Sequence, residues 1–185
     1  MQVSILCGGK SSRMHSEKGL VLYKSKPFIE HVIDAVLPIS NNIQLVTNSN
    51  NYDYLAYPKI KDIIVDKGPL VGIYSALYYS ESEMNLILSC DIPLISSEIV
   101  KELIDKHKAN FDVTVFEDNF RIHPLIGIYS KKIIPILQKA IHENELKLMH
   151  FITNVNHQCI PIANEKRNHL KNVNSLAELY ELNAY

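Results

Sequence analysis

The chain is poor in cysteine, in net charge and in long apolar runs, and each shortage excludes a class of protein. Its 185 residues include three cysteines and carry a formal net charge of −1. Three cysteines without C-x-x-C spacing indicate neither a disulfide framework nor a structural zinc site, which favours a reducing compartment. A general nucleic-acid binder usually carries a clear basic excess, so we expect no nucleic-acid partner.

The longest apolar runs are also too short for a membrane span. No run approaches the ~20 apolar residues that a transmembrane helix requires, and no basic segment precedes an apolar core at the start of the sequence. We therefore expect a soluble, cytoplasmic protein without a membrane partner. The hydrophobic content of 46% and charged content of 21% are typical of globular chains. With no internal repeat or linker, residues 1–185 are expected to form one domain.

Two common phosphate-binding motifs are missing, but a different glycine-containing loop is present. The chain has neither G-x-x-x-x-G-K-[ST] nor G-x-G-x-x-G; residues 6–14 read LCGGKSSRM, and Lys18 follows. The adjacent Gly8 and Gly9 permit a sharp turn and a close approach to a ligand, and successive amide groups in such a turn hold anions. Arg13 and Lys18 add charge for phosphates. The simpler alternative is a solvated β-turn with scattered basic residues.

Short apolar runs alternate with helical patterns along the chain. Helices are expected from Pro27, from Pro69, over 97–108, over 132–142 and from Leu176. Strands are expected over 3–6, 43–47, 63–65, 85–89, 112–116 and 125–129. This alternation predicts an α/β fold, a three-layer α/β/α sandwich around a mostly parallel sheet. Residues 144–171 follow no clear pattern.

Polar residues follow four of the predicted strands. The 8–18 loop follows the first strand, Asn48 the second, Asp66 the third and Asp91 the fourth. Each alone is explained by a turn or a helix cap, but an open α/β sheet binds its ligand at the carboxyl ends of its strands. A carboxylate beside a polyphosphate requires a cation, and Mg²⁺ takes one or two carboxylates together with phosphate oxygens. Asp91 is therefore the metal candidate.

The loop also resembles that of a known family. L-x-G-G-x-S-x-R-M followed by Lys is similar to the nucleotide-binding loop of nucleotidyltransferases that activate sugars, alcohols or cofactors. It is most similar to that of the MobA family of molybdenum cofactor guanylyltransferases. Other similar segments come in family order: His31-Val32, Asn48-Ser49-Asn50, residues 68–73, Cys90-Asp91-Ile92-Pro93, residues 121–125 and residues 172–175.

This resemblance implies a Rossmann-like nucleotidyltransferase fold and an activity: transfer of GMP from GTP to the phosphate of molybdopterin, with release of pyrophosphate. It implies catalytic roles for Arg13, Lys18 and Asp91, with Mg²⁺ on Asp91. The GTP-binding set that it implies is Leu6, Cys7, Gly8, Gly9, Lys18, Asn48, Asp66 and Asp91. The molybdopterin set is Arg121, His123, Asn172 and Asn174. Acceptor molybdoenzymes and other cofactor-biosynthesis proteins are the implied protein partners.

The sequence departs from the family pattern at three places. His15 stands where the family usually has glycine, Glu17 stands where it usually has aspartate, and one residue separates Asp66 from Gly68-Pro69. Three alternative functions remain open. They are a molybdopterin cytidylyltransferase or another sugar- or alcohol-phosphate nucleotidyltransferase, a regulatory nucleotide-binding domain without catalysis, and a partner-binding scaffold. The Gly8-Gly9 pair and the Gly68-Pro69-Leu70 turn favour the guanylyl-transferring relatives.

Overall fold

A seven-stranded sheet forms the middle layer of the computed structural model, which describes residues 1–8, 10–11, 16–65, 67–119 and 121–183. We number its strands in chain order, with the bounds β1 Gln2–Leu6, β2 Ile43–Val46, β3 Lys59–Ile60, β4 Met84–Ser89, β5 Val113–Asp118, β6 Arg121–Ser130 and β7 His157–Pro161. The spatial order is β7-β5-β6-β4-β1-β2-β3. Of these strands, β6 alone runs antiparallel to its neighbours. The prediction of a mostly parallel sheet is confirmed.

Six α-helices surround the sheet in the described part of the chain. Their bounds are α1 Phe28–Val36, α2 Pro69–Tyr79, α3 Ser97–Lys106, α4 Ile134–His142, α5 Leu148–Thr153 and α6 Leu176–Asn183. Helices α1 and α3 pack on one face of the sheet, and α2, α4 and α5 pack on the other. Each face has its own buried apolar cluster, since β1 and β4 point alternate side chains to opposite sides. None of these helices has the length and apolarity of a membrane span.

The prediction of a third strand over residues 63–65 was wrong. Residues 63–65 form a turn in which all three apolar side chains are exposed, and the strand that pairs with β2 is the two-residue β3, Lys59–Ile60. This strand lies at the edge of the sheet, where one side faces solvent and little apolar burial is required. The apolar run at 63–65 was therefore a misleading signal.

The unpatterned stretch 144–171 folds into three short elements. It contains α5, the edge strand β7 and a 3₁₀ helix at Asn164–Leu170. Strand β7 pairs in parallel with β5, and Cys159 faces Val115 in that register. Short elements with mixed burial carry little periodicity, because each buries between one and three side chains.

A smaller apolar cluster outside the sheet holds a segment near the carboxyl terminus close to the end of β4. Val21, Tyr23 and Phe28 pack there with Val173 and Leu182, which joins the segment before α1 to the segment around α6. The Val173 amide donates to the Asp91 carbonyl at 2.9 Å. Residues about 80 positions apart in sequence are thereby held together.

Candidate nucleotide site

The carboxyl ends of β1, β2 and β4 border one cavity of about 550 Å³. The Cys7 amide donates to the Val46 carbonyl at 2.9 Å, and the Cys90 amide donates to the Leu6 carbonyl at 3.1 Å, so the strand ends stay in register. The cavity is lined by the last residues of these strands, by the segments after β1, β2 and β3, by the start of α2 and by one residue of β6. The lining residues are Leu6, Cys7, Gly8, Glu17, Val46, Thr47, Asn48, Ser49, Asp62, Val65, Gly68, Pro69, Gly72, Ser89 and Leu125. Leu6, Cys7, Gly8 and Asn48 of the predicted set are among them.

Asn48 and Asp62 form a two-point contact at this cavity. The Asn48 amide Nδ2 donates to Asp62 Oδ2 at 3.1 Å, and the Asp62 backbone amide donates to Asn48 Oδ1 at 3.1 Å. These two hydrogen bonds fix the orientation of the Asn48 amide. Because β3 ends at Ile60, Asp62 takes the place after the third strand that the sequence analysis gave to Asp66. Asp66 itself lies outside the described residues, as do Gly9 and Arg13.

Sequence analysis missed Asp62 because the short strand before it was missed. The signal that could have located it is the pair Lys59–Ile60 directly after Pro58, which is typical of a short edge strand. Gly8 faces this aspartate: an added Cβ at Gly8 would lie 3.9 Å from Asp62 Oδ2. A side chain at position 8 would therefore extend toward the Asn48–Asp62 pair. Gly8 keeps that part of the cavity open.

The amino terminus of α2 forms another part of the cavity wall. Gly68 precedes the helix with φ of +81°, a conformation that favours glycine, and Pro69 occupies the first helical turn. Both residues line the cavity. The unpaired amides of a helix start give this end a partial positive charge. An anionic ligand is favoured beside it.

Asp91 lies at the centre of a polar cluster directly after β4. Its Oδ1 accepts from Ser89 Oγ at 2.6 Å and from Asn172 Nδ2 at 2.5 Å, and its Oδ2 accepts from Lys18 Nζ at 2.9 Å. Lys18 Nζ also donates to Asn174 Oδ1. Asp91 is 5% exposed, so its charge depends on these partners. Four predicted site residues, namely Lys18, Asp91, Asn172 and Asn174, are thus in contact.

The Asp91 cluster adjoins the cavity through Ser89 and Glu17. Ser89 lines the cavity and binds Asp91, while Glu17 lines the cavity and immediately precedes Lys18. Glu17 Oε1 accepts from Ser49 Oγ at 2.5 Å and from Asn51 Nδ2 at 2.8 Å. From the sequence, Glu17 was only a departure from the aspartate that the family usually has at this place. The structure shows that it ties the Lys18 segment to the turn after β2.

The two thiols near the cavity do not form a nucleophilic pair. Burial raises the pKa of the Cys7 thiol well above its ordinary value, and the adjacent Cys90 thiol adds to this increase. A protonated, buried thiol is a poor nucleophile. Cys7 therefore offers the cavity a backbone and a small side chain rather than a reactive thiolate.

Arg121 and His123 lie apart from the Lys18–Asp91 contacts. Arg121 is exposed at the start of β6, and His123 Nε2 lies 3.0 Å from Asp118 Oδ2. Hydrogen bonds and ion pairs of the described residues link neither side chain to Asp91. The segment reaches the cavity at Leu125, within the stretch from His123 to Gly127 where the register of β6 against β5 shifts.

A divalent cation fits the Asp91 cluster as a partial protein site. The described residues contain no group of three or more His, Cys, Asp or Glu side chains that could hold a metal on their own. Asp91 Oδ2 and Asn174 Oδ1 do offer a carboxylate and an amide oxygen to one cation, since both contact Lys18 Nζ. Mg²⁺ typically binds proteins through one or two carboxylates and completes its shell with phosphate oxygens and water.

Comparisons with known proteins show the family to which the chain belongs. Residues 3–158 match the family model described as the MobA-like NTP transferase domain. A protein of Flavobacterium johnsoniae named probable molybdenum cofactor guanylyltransferase is 59% identical over 179 residues, covering 97% of this chain and 94% of its own length. The molybdenum cofactor guanylyltransferase of Vibrio vulnificus is 31% identical over 148 residues, covering 78% of this chain and 76% of its own length.

A solved structure extends the comparison to the fold. The molybdopterin-guanine dinucleotide biosynthesis protein A of Archaeoglobus fulgidus superposes with a TM-score of 0.86 over 100% of this chain and 97% of that chain. Its sequence identity is 21%, so the similarity is one of architecture. The predicted Rossmann-like nucleotidyltransferase fold is confirmed.

Proposed function

This chain belongs to the family of MobA-like NTP transferase domains, and from that premise we propose that it is a molybdenum cofactor guanylyltransferase. It transfers GMP from GTP to the phosphate of molybdopterin and releases pyrophosphate. The observation that carries this proposal is the contact of Lys18, Asp91, Asn172 and Asn174 beside a nucleotide-sized cavity at the carboxyl ends of β1, β2 and β4.

The reaction needs charge neutralisation more than covalent help from the protein. A phosphate oxygen of molybdopterin forms a bond to the α-phosphorus of GTP, and the bond from that phosphorus to the bridging oxygen breaks as pyrophosphate leaves. The attacking phosphate is already ionised at neutral pH, so no general base is required. An anionic nucleophile meets an anionic electrophile, and positioning and positive charge dominate such transfers. Lys18 and Arg13 supply that charge from the protein.

The nucleoside part of GTP fits the cavity beside Asn48 and Asp62. The fixed Asn48 amide and the Asp62 carboxylate present polar groups to a nucleoside, and Leu6, Cys7 and Gly8 line the same cavity. Fixed backbone groups discriminate between bases because an unmatched polar group is costly. We propose Asp62 as a further nucleotide-contacting residue beside Asp66, which stays in the proposed set. The alternative, a cytidylyltransferase, would bind cytosine instead of guanine in this cavity.

Asp91 is the residue proposed to hold Mg²⁺, together with the phosphates of GTP. When bound, the ion supplies positive charge to the phosphate oxygens and helps to fix the triphosphate for in-line attack. Asn172 and Ser89 hold the Asp91 carboxylate in one orientation through its Oδ1. We propose that Asn172 and Asn174, which contact Asp91 and Lys18, lie where the two phosphate groups meet.

The molybdopterin site is proposed to extend from Asn172 and Asn174 toward Arg121 and His123. Exposed Arg121 offers a cation to an anionic pterin phosphate, and Asp118 orients the His123 ring. We place the reaction in the cytoplasm, with acceptor molybdoenzymes and other cofactor-biosynthesis proteins as partners that receive the product.

Replacement of Asp91 by asparagine tests this assignment. Asp91→Asn keeps the shape of the side chain but removes its charge. We expect turnover to fall by about 100-fold or more, because removal of one group that stabilises charge in the transition state typically costs that much. Pyrophosphate release with GTP, Mg²⁺ and molybdopterin is the measurement. Asp34→Asn, which removes an exposed carboxylate paired with Lys26, is the matched control and should retain full activity. Near-normal turnover of Asp91→Asn would contradict the metal role.

A further inference from the structure

Lys18 Nζ contacts two oxygen atoms at once, and both are suitable ligands for a metal ion. It lies 2.9 Å from Asp91 Oδ2 and donates to Asn174 Oδ1. The other carboxylate oxygen, Asp91 Oδ1, already accepts from Ser89 and Asn172. The ammonium therefore occupies the side of Asp91 on which a cation has two oxygen ligands.

The two partners of this ion pair differ in exposure. The Lys18 side chain is 24% exposed, whereas that of Asp91 is 6% exposed. Lys18 has a flexible four-carbon side chain that reaches solvent, while Asp91 is held by its own hydrogen bonds and by the Val173 amide on its carbonyl. If one partner moves away, it is the lysine.

Lys18 Nζ cannot keep these two contacts while a divalent ion binds the same two oxygen atoms. A divalent ion on Asp91 Oδ2 would be strongly repelled by an ammonium at hydrogen-bond distance from the same oxygen, because like charges repel most at short range. A triphosphate offers Lys18 a new set of anionic partners. The position next to Asp91 is then available to the ion.

We infer that Lys18 and the divalent cation compete for one cation position on Asp91 and Asn174, so that the free protein binds the metal weakly and the nucleotide opens the position. This inference rests on the proposed function, in which Asp91 holds the metal. Removal of the lysine charge therefore strengthens metal binding to the free protein while it weakens nucleotide binding. By linkage, metal and nucleotide bind with positive cooperativity in the native protein and with less cooperativity without the lysine charge.

Mn²⁺ titration of the nucleotide-free protein, followed by electron paramagnetic resonance, tests the competition. We expect Lys18→Met to bind Mn²⁺ at least about tenfold more tightly than the native protein, since the competing charge is gone. Lys18→Arg keeps the charge and should bind Mn²⁺ as weakly as the native protein. Lys26→Met, which removes an exposed ion pair with Asp34, is the control for loss of a lysine elsewhere. The double variant Lys18→Met/Asp91→Asn should lose the gain in Mn²⁺ affinity that Lys18→Met shows.

A second readout covers the case in which Lys18→Met loses stability. Its buried Asp91 carboxylate has lost a cationic partner, so Mn²⁺ should raise its unfolding temperature more than it raises that of the native protein. Equal or weaker Mn²⁺ binding by Lys18→Met, with no larger thermal shift, would overturn the competition. If the native protein binds Mn²⁺ with GTP more tightly than Asp91→Asn does, the metal role of Asp91 survives that result. Absence of Mn²⁺ binding to every variant, with and without GTP, would overturn both the competition and the metal role of Asp91.

Discussion

Glycine 19 shows how one missing side chain allows Lys18 to reach Asp91. A Cβ at this position would lie 2.7 Å from the Tyr52 hydroxyl, 3.2 Å from Tyr52 Cε1 and 3.3 Å from Cys90 Cβ. The 3₁₀ turn Lys18–Leu20 thus passes directly over Tyr52 and the residue before Asp91. Tyr52 is fully buried, and its hydroxyl makes no hydrogen bond with the described residues. Its pKa is raised by burial first and then by Cys90, Cys7 and Glu17.

Gly19→Ala is therefore expected to lower the free energy of unfolding by about 1–3 kcal/mol, as overpacking typically does. It should also lower GTP affinity, because the Lys18 turn must shift. Tyr52→Phe removes the nearest atom and should restore part of both losses, which a double-mutant cycle measures by urea unfolding and GTP titration. A Gly19→Ala protein as stable as the native one, or a cycle with no coupling between the two sites, would show that this contact is not tight.

At the scale of elements, a segment near the carboxyl terminus completes the site. Asn172 and Asn174 bind Asp91 and Lys18, and Val173 between them is fully buried against Val21, Tyr23 and Phe28. The Val173 amide donates to the Asp91 carbonyl at 2.9 Å. Apolar packing on one side thus holds two polar side chains on the other. The alternation N-V-N in an extended segment produces this arrangement.

Val173→Ala tests whether this packing positions the two asparagines. We expect a loss of roughly 1–3 kcal/mol in the free energy of unfolding, since a buried side chain is truncated. The kcat for pyrophosphate release should also fall, because Asn172 and Asn174 lose their fixed placement. Val155→Ala is the matched control: Val155 is buried in the cluster with α4 and α5, outside the site. If both variants keep the same kcat below their unfolding temperatures, Val173 contributes only stability.

The sequence predicted long elements better than short ones. Strands β1, β2 and β4 and helices α1 to α4 were located because each buries several side chains at a regular spacing. Strand β3 was misplaced because two edge residues carry no such pattern, and Asp62 was overlooked with it. The contact of Lys18 with Asn174 could not be predicted, since 156 residues separate them and only the folded sheet brings them together.

At the scale of the whole molecule, the parallel sheet is what converts scattered residues into one site. Strands β1, β2 and β4 end at the same edge, so loops from the first half of the chain border one cavity. The Asp91 carbonyl and carboxylate then bind a segment from the last part of the chain. A nucleotide and an anionic second substrate can meet there with positive charge between them.

The most direct test of this account is the transfer of label from [α-³²P]GTP to molybdopterin by the native protein in the presence of Mg²⁺. We expect labelled guanine dinucleotide together with an equal amount of unlabelled pyrophosphate. When α-labelled CTP or ATP replaces GTP, we expect only background product. Equal or faster transfer from CTP would contradict the guanylyl assignment. Failure to transfer label from any nucleotide, by a folded protein, would contradict the enzymatic role of the Lys18–Asp91 cluster altogether.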